Sequence, residues 1–142
     1  MTDVERVING STVCYYIEGR NILHREDGPA VVSPERAEWF VNGIRHREDG
    51  PAIIFSSGTK YWLRYGLLHR SGGPAAEFSG GTNFTWYVNG RRHREDGPAV
   101  IHMNGEIEWW LDGDSCNKET WFKNLPEDKK LEQLYSKYFI EG

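Results

Sequence analysis

The sequence is poor in cysteine, in basic excess and in long apolar runs. Its two cysteines, Cys14 and Cys116, stand near opposite ends of the 142 residues in unrelated surroundings. They supply neither a disulfide framework nor a zinc site, and both are expected as reduced thiols. Cys14 falls within an alternating strand, where packing is the expected role. Cys116 falls near a helix start, a place that can lower a thiol pKa, but has no histidine beside it. Seventeen basic against 21 acidic side chains leave a net charge of −4, so no overall field draws the chain to nucleic-acid phosphates or an anionic membrane. No apolar run approaches the roughly 20 residues that span a bilayer, and the opening MTDVERV has neither the basic nor the apolar region of a secretory signal. A cytoplasmic protein without membrane association is the expectation. G-x-S-x-G, P-loop and H-E-x-x-H patterns are also missing, and the Gly-rich stretches Gly72-Gly73 and Gly80-Gly81 sit between strands. No catalytic residue, metal or cofactor is therefore assigned.

Aromatic residues make up 13% of the chain and glycine 16 positions, a pairing that favours short strands and tight turns over a helical bundle. Their order is a repeat. HREDGPA stands at His24–Ala30, His46–Ala52 and His93–Ala99, with HRSGGPA at His69–Ala75, at intervals of 22, 23 and 24 residues. Each copy leads through a short apolar stretch and a turn to an aromatic segment closed by glycine, and one further such segment precedes the first copy: CYYIEG, EWFVNG, YWLRYG, TWYVNG and EWWLDG, ending at Gly19, Gly43, Gly66, Gly90 and Gly113. We number the units one to five by these glycines.

With a strand's period of two, Tyr15, Trp39, Trp62, Trp86 and Trp109 share a face with Ile17, Val41, Arg64, Val88 and Leu111. Tyr16, Phe40, Leu63, Tyr87 and Trp110 form the opposite row. Pro34-Glu35, Ser57-Gly58, Gly80-Gly81 and Asn104-Gly105 mark hairpin turns. The fold class expected is mainly β: tandem antiparallel hairpins stacked into a meander or solenoid-like sheet, one repeat domain over 1–142. Residues 1–23 form an N-terminal capping hairpin turning at Asn9-Gly10, 24–113 carry the repeats, and 114–142 form a short helical cap. In that cap Asp114, Ser115 and Asn117 offer helix-capping oxygens before Lys118–Leu125. Pro126 then opens a helix over Lys129–Phe139 with Leu131, Leu134, Tyr135 and Tyr138 on one face.

The repeat resembles a known family, proteins with tandem HREDGPA-type repeats found in tailed bacteriophages and large DNA viruses, and is loosely similar to MORN repeats. The resemblance covers Ile22–Gly113 and brings no catalytic residues. It implies a repeat scaffold and a phage origin, hence an accessory protein acting in the host cytoplasm on a host protein of its defence.

The loops place His24, His46, His69 and His93 near Asp27, Asp49 and Asp96. A metal needs ligands converging at about 2 Å, whereas stacked repeats space equivalent atoms by a strand separation of roughly 5 Å or more. The loop is therefore read as structure. In that reading Asp accepts backbone N–H bonds, Gly takes positive φ, Pro fixes the next strand, and His and Arg close on a neighbouring loop or carboxylate. A His/Asp-dependent enzyme stays as an alternative.

Departures from the repeat carry more functional information than its consensus. Three gather around unit three: Arg64 replaces an aliphatic residue, Glu77 replaces another in the next incoming strand, and Ser71-Gly72 replaces Glu-Asp. Arg64 and Glu77 either pair with each other or face a partner. The second candidate surface is the row Tyr16, Phe40, Leu63, Tyr87 and Trp110, which is core in a closed solenoid and an interaction strip in a single layer. The function expected is a non-enzymatic protein-binding module, with a nucleotide or small-ligand binder that stacks on the aromatics as the alternative. Nucleic acid fits less well, because Arg45, Arg47, Arg91, Arg92 and Arg94 alternate with Glu48, Asp49, Glu95 and Asp96. An unpaired edge at Val4–Ile8 offers a route to a homodimer.

Overall fold

The computed structural model describes residues 2–134. It is mainly β, made of antiparallel hairpins with two short helices towards the C-terminal end. Eleven strands form one sheet in chain order: Val4–Asn9, Thr12–Ile17, Val31–Val32, Arg36–Glu38, Ile53–Phe55, Lys60–Tyr61, Ala76–Glu77, Phe84–Thr85, Val100–Ile101, Ile107–Leu111 and Asp114–Cys116. Each incoming strand pairs with the outgoing strand of its own unit and with that of the unit before, so the stack is an open meander. The turns at Pro34-Glu35, Ser57-Gly58, Gly80-Gly81 and Asn104-Gly105 lie where the sequence puts them.

The sequence reading of one hairpin per unit needs correction. In units two to four the outgoing strand leaves the large sheet at its tryptophan and continues into a second, two-stranded hairpin. These are Phe40–Val41 with Ile44–Arg45, Leu63–Arg64 with Leu67–Leu68, and Tyr87–Val88 with Arg91–Arg92. The closing glycine is the tip of this second hairpin and not the end of the unit. Both central turn residues have positive φ: Asn42 (51°) with Gly43 (79°), Tyr65 (50°) with Gly66 (81°), Asn89 (49°) with Gly90 (81°), and Asp112 (49°) with Gly113 (86°). This is the signature of a type I′ turn, whose twist matches that of the strands it joins.

Burial follows the repeat. Ala30, Ala52, Ala75 and Ala99, each directly after the loop proline, have no exposed surface. Ala52, Ile53 and Leu63 form a core cluster with Trp39, Phe55, Tyr61 and Leu68 against it.

The two ends differ. The first strand pairs with the second from Val4↔Ile17 to Asn9↔Thr12, which puts the turn at Gly10-Ser11, one residue later than expected. All six residues of Val4–Asn9 are exposed. At the other end Asp114 and Ser115 belong to a strand, and Asn117 alone caps the helix Lys118–Lys123, accepting from the Thr120 N–H at 2.8 Å. Trp121 on that helix is fully buried, its ring centroid 4.5 Å from that of Trp109, and its Nε1 donates to the Arg94 carbonyl at 2.8 Å. The second helix, Glu127–Gln133, starts directly after Pro126. Gln133 is buried there, whereas Leu131 and Leu134 are exposed. Tyr135, Tyr138 and the remainder of the expected helix lie outside the described residues.

Candidate functional site: the loop ladder and its irregular third unit

Each loop arginine does two things at once, and a third in the intact loops. Its guanidinium covers the aromatic ring of its own unit: Arg25 on Tyr15 and Arg47 on Trp39 at 4.0 Å, Arg70 on Trp62 and Arg94 on Trp86 at 3.9 Å. Its Nη1 donates to the loop proline carbonyl, at 3.2 Å to Pro29, 3.0 Å to Pro51, 3.1 Å to Pro74 and 2.9 Å to Pro98. In the three intact loops its Nε donates to the aspartate, Asp27 at 2.9 Å, Asp49 at 3.1 Å and Asp96 at 2.7 Å.

Two sequence expectations are corrected by this geometry. The aspartate accepts from the arginine and not from backbone N–H groups. The glycine is needed for space and not for positive φ: a Cβ on Gly28, Gly50 or Gly73 would stand 2.9, 2.7 or 2.9 Å from the arginine Cζ folded over it.

The histidines lock one unit to the next. Nδ1 accepts the backbone N–H at the first position of the following unit's tight turn: Asn42 to His24 and Tyr65 to His46 at 2.9 Å, Asn89 to His69 and Asp112 to His93 at 3.0 Å. An accepting Nδ1 leaves the ring proton on Nε2. Nε2 meets a carboxylate two residues on, Glu48 at 2.8 Å from His46 and Glu95 at 3.1 Å from His93, while Glu26 lies 3.4 Å from the buried His24. Among the described residues no group of three His, Cys, Asp or Glu side chains gathers to hold a metal.

Successive loops bound clefts floored by the tryptophan row. Between loops 25–29 and 46–49 the cleft holds about 620 Å³ over Trp39 and Val41. Between loops 47–50 and 69–71 it holds about 330 Å³ over Trp62, with Arg64 at the repeat position of Val41. The own-unit guanidinium covers one face of Trp39 and of Trp62 in these clefts.

The candidate residues fall into three groups. Arg64 and Glu77 do not pair with each other: Arg64 Nη2 reaches Glu48 Oε2 at 3.4 Å, and Glu77 Oε1 accepts from Arg70 Nη1 at 3.1 Å. Phe40 (8% exposed) and Leu63 (9%) belong to the core. Tyr16, Tyr87 and Trp110 are half-buried, Trp110 lying under Arg92 with Cζ 4.9 Å from the ring centroid.

One residue that the sequence reading passed over stands out. Tyr65 holds φ +50° where units two, four and five have Asn42, Asn89 and Asp112, which tolerate the left-handed region far better than a bulky aromatic. It is 71% exposed and tilts against His46 at 4.5 Å. The signal lay in the aligned segments, YWLRYG beside EWFVNG and TWYVNG.

Both cysteines are half-buried. Burial, aided by the charge of Asp114, pushes the Cys116 thiol up, against the lowering expected of a helix start. Cys116 lies in the strand before the helix, its Sγ 3.8 Å from the Trp109 carbonyl. No helix among the described residues is long and apolar enough to cross a membrane. No family model, curated protein or solved structure matches the chain.

Proposed function

We propose that the protein is a non-enzymatic binding module that docks on another protein through its third unit, with Tyr65 as anchor and Arg64 beside it. The observation that carries this reading is Tyr65, a large aromatic kept in a strained turn position with most of its surface open. Backbone strain at a bulky residue concentrates where function requires it, and Tyr and Arg are enriched among residues that dominate binding energy. Tyr16, Tyr87 and Trp110 would contribute at the rim through their open edges. Glu77, engaged with Arg70, would act by placing that arginine.

The repeat's resemblance to phage proteins supplies the rest of the proposal: a phage accessory protein that occupies the surface of a host defence protein in the host cytoplasm. Capture from a host lysate, with mass-spectrometric identification, tests it. The wild-type chain should retain a defined protein, and Tyr65→Asn, which restores the residue of units two and four, should lose it with an unchanged or higher melting temperature. Equal retention by the two chains overturns the reading.

A further inference from the structure

We infer, resting on the docking reading above, that the third unit takes an acidic side chain of its protein partner, whose carboxylate fills the place of the missing loop aspartate. In the three intact loops the arginine Nε is satisfied within the loop by Asp27, Asp49 or Asp96. In the third loop that aspartate is Gly72 and the glutamate before it is Ser71. Arg70 keeps its ring and its proline carbonyl, and Nη1 turns to Glu77, but Nε has no hydrogen-bond partner among the described residues. A second guanidinium lines the same cleft: Arg64, whose side chain is half-exposed while its buried Nε has no partner among the described residues.

The charge balance changes with this. The charged residues lining this cleft, Arg47, Glu48, Asp49, Arg64 and Arg70, sum to +1, whereas Arg25, Glu26, Asp27, Arg47, Glu48 and Asp49 around the cleft before it sum to −2. Guanidinium groups therefore outnumber carboxylates around this cleft and not around the one before it. A carboxylate can accept from two guanidinium N–H groups, and such charge-assisted bonds are stronger than neutral ones. Tyr65, adjacent to Arg64 in the chain, stacks on His46, which holds the same Glu48 that Arg64 reaches. The partner segment should accordingly combine an acidic residue with an apolar neighbour that covers Tyr65.

Selection from a library of random peptides on the wild-type chain tests the inference. Enriched peptides should share an Asp or Glu at a fixed position beside an apolar residue. Its change to Asn or Gln should weaken binding at least about tenfold, the scale of one charge-assisted bond. The double variant Ser71→Glu/Gly72→Asp restores the sequence of the intact loops at a position where Gly72 holds φ +80°. It should bind the enriched peptides at least about tenfold more weakly than its uncharged match Ser71→Gln/Gly72→Asn, which carries the same backbone strain. Enrichment without an acidic position, no enrichment, or equal binding by the two double variants overturns the inference. So does a phosphopeptide that binds where the matched Glu peptide does not. A lysate partner lost with Tyr65→Asn but kept by Ser71→Glu/Gly72→Asp leaves the docking surface standing and removes the carboxylate. A partner kept by both removes both.

Discussion

Units two and three share their strands and tight turn, part at Gly72, whose φ of 80° replaces the ordinary backbone of Asp49, and differ in how they spend their charges. In unit two the strand residue before the tryptophan is Glu38, buried and held by Arg45 at 2.9 Å and Arg36 at 3.3 Å, while the loop carries Glu48 and Asp49. In unit three the same strand position is Tyr61, packed edge-on against Phe55 and Phe78, and the loop has lost both carboxylates. One carboxylate reappears on the next strand as Glu77, and Arg64 is added to the cleft. Outside Gly72 the backbone slots are thus fixed by the repeat, and the charges that fill them are exchangeable wherever a new partner lies within reach. What cannot be explained by such exchange is Tyr65, which improves no contact that Asn42 or Asn89 lacks except the tilt against His46.

The loop arginines give the largest expected effect. Arg47→Ala removes a ring contact and a proline carbonyl bond, and should cost about 2 kcal/mol, since the pair with the exposed Asp49 adds little. Arg70→Ala should cost about 3 kcal/mol because the half-buried Glu77 loses its partner as well. Adding Glu77→Ile, the residue type of Ile54 and Ile101, should recover about 1 kcal/mol. Chemical denaturation of the four variants of this cycle measures the coupling; no recovery would show that the Arg70–Glu77 pair carries none of the loss.

The histidine ladder comes next. His46→Ala should cost about 1.5 kcal/mol, through the bond to the Tyr65 N–H, the hold on Glu48 and the ring contact. His69→Ala should cost about half of that, roughly 0.5–1 kcal/mol, because position 71 is serine and the turn residue above it is Asn89. Equal losses would mean that the unit-to-unit bond alone carries the effect.

These contrasts also indicate what could be read without coordinates. The meander, the four turns of the large sheet and the helical end were legible because alternation, turn residues and an Asn cap act over a few residues. The second hairpin is also written in the sequence: the N-G and D-G dipeptides at the closing glycines are the strongest short signal for a type I′ turn. The loop was legible as structure, but not its wiring. Whether Asp49 accepts from backbone or from Arg47 depends on where a long side chain folds, and Gly50 is required by that folded guanidinium, which spacing does not reveal. Arg64 and Glu77 were legible as departures; their separate partners were not, because Glu48 and Arg70 come from neighbouring loops.

Tyr65→Asn sharpens the same contrast at smaller scale. Relief of the left-handed strain and loss of the contact with His46 oppose each other, so stability should stay the same or rise by up to about 0.5 kcal/mol. A loss well beyond that in thermal melting would mean that Tyr65 is held for packing and would withdraw the support it gives to docking.

The smallest expected effect lies on the other face, where unit five repeats the glutamate of unit two. Glu108 occupies the position of Glu38, but it is held by the His102 Nε2 and by the Trp110 indole at 3.2 Å instead of by two arginines. The hydrogen bond from His102 holds its carboxyl below the usual carboxylate range, against the opposing influence of partial burial. With the folded value below the unfolded one, the stabilisation is complete above the ordinary carboxylate range and is lost as pH falls through the folded value. His102→Gln should move the midpoint of the Glu108 carboxyl upward in a side-chain NMR titration. It should flatten the acid limb of stability by less than about 0.5 kcal/mol, since the pair is more than a third exposed and screened by solvent. An unmoved midpoint would assign the hold on Glu108 to Trp110 and to the charge of Arg92, and unit five would then resemble unit two, with an arginine doing the holding.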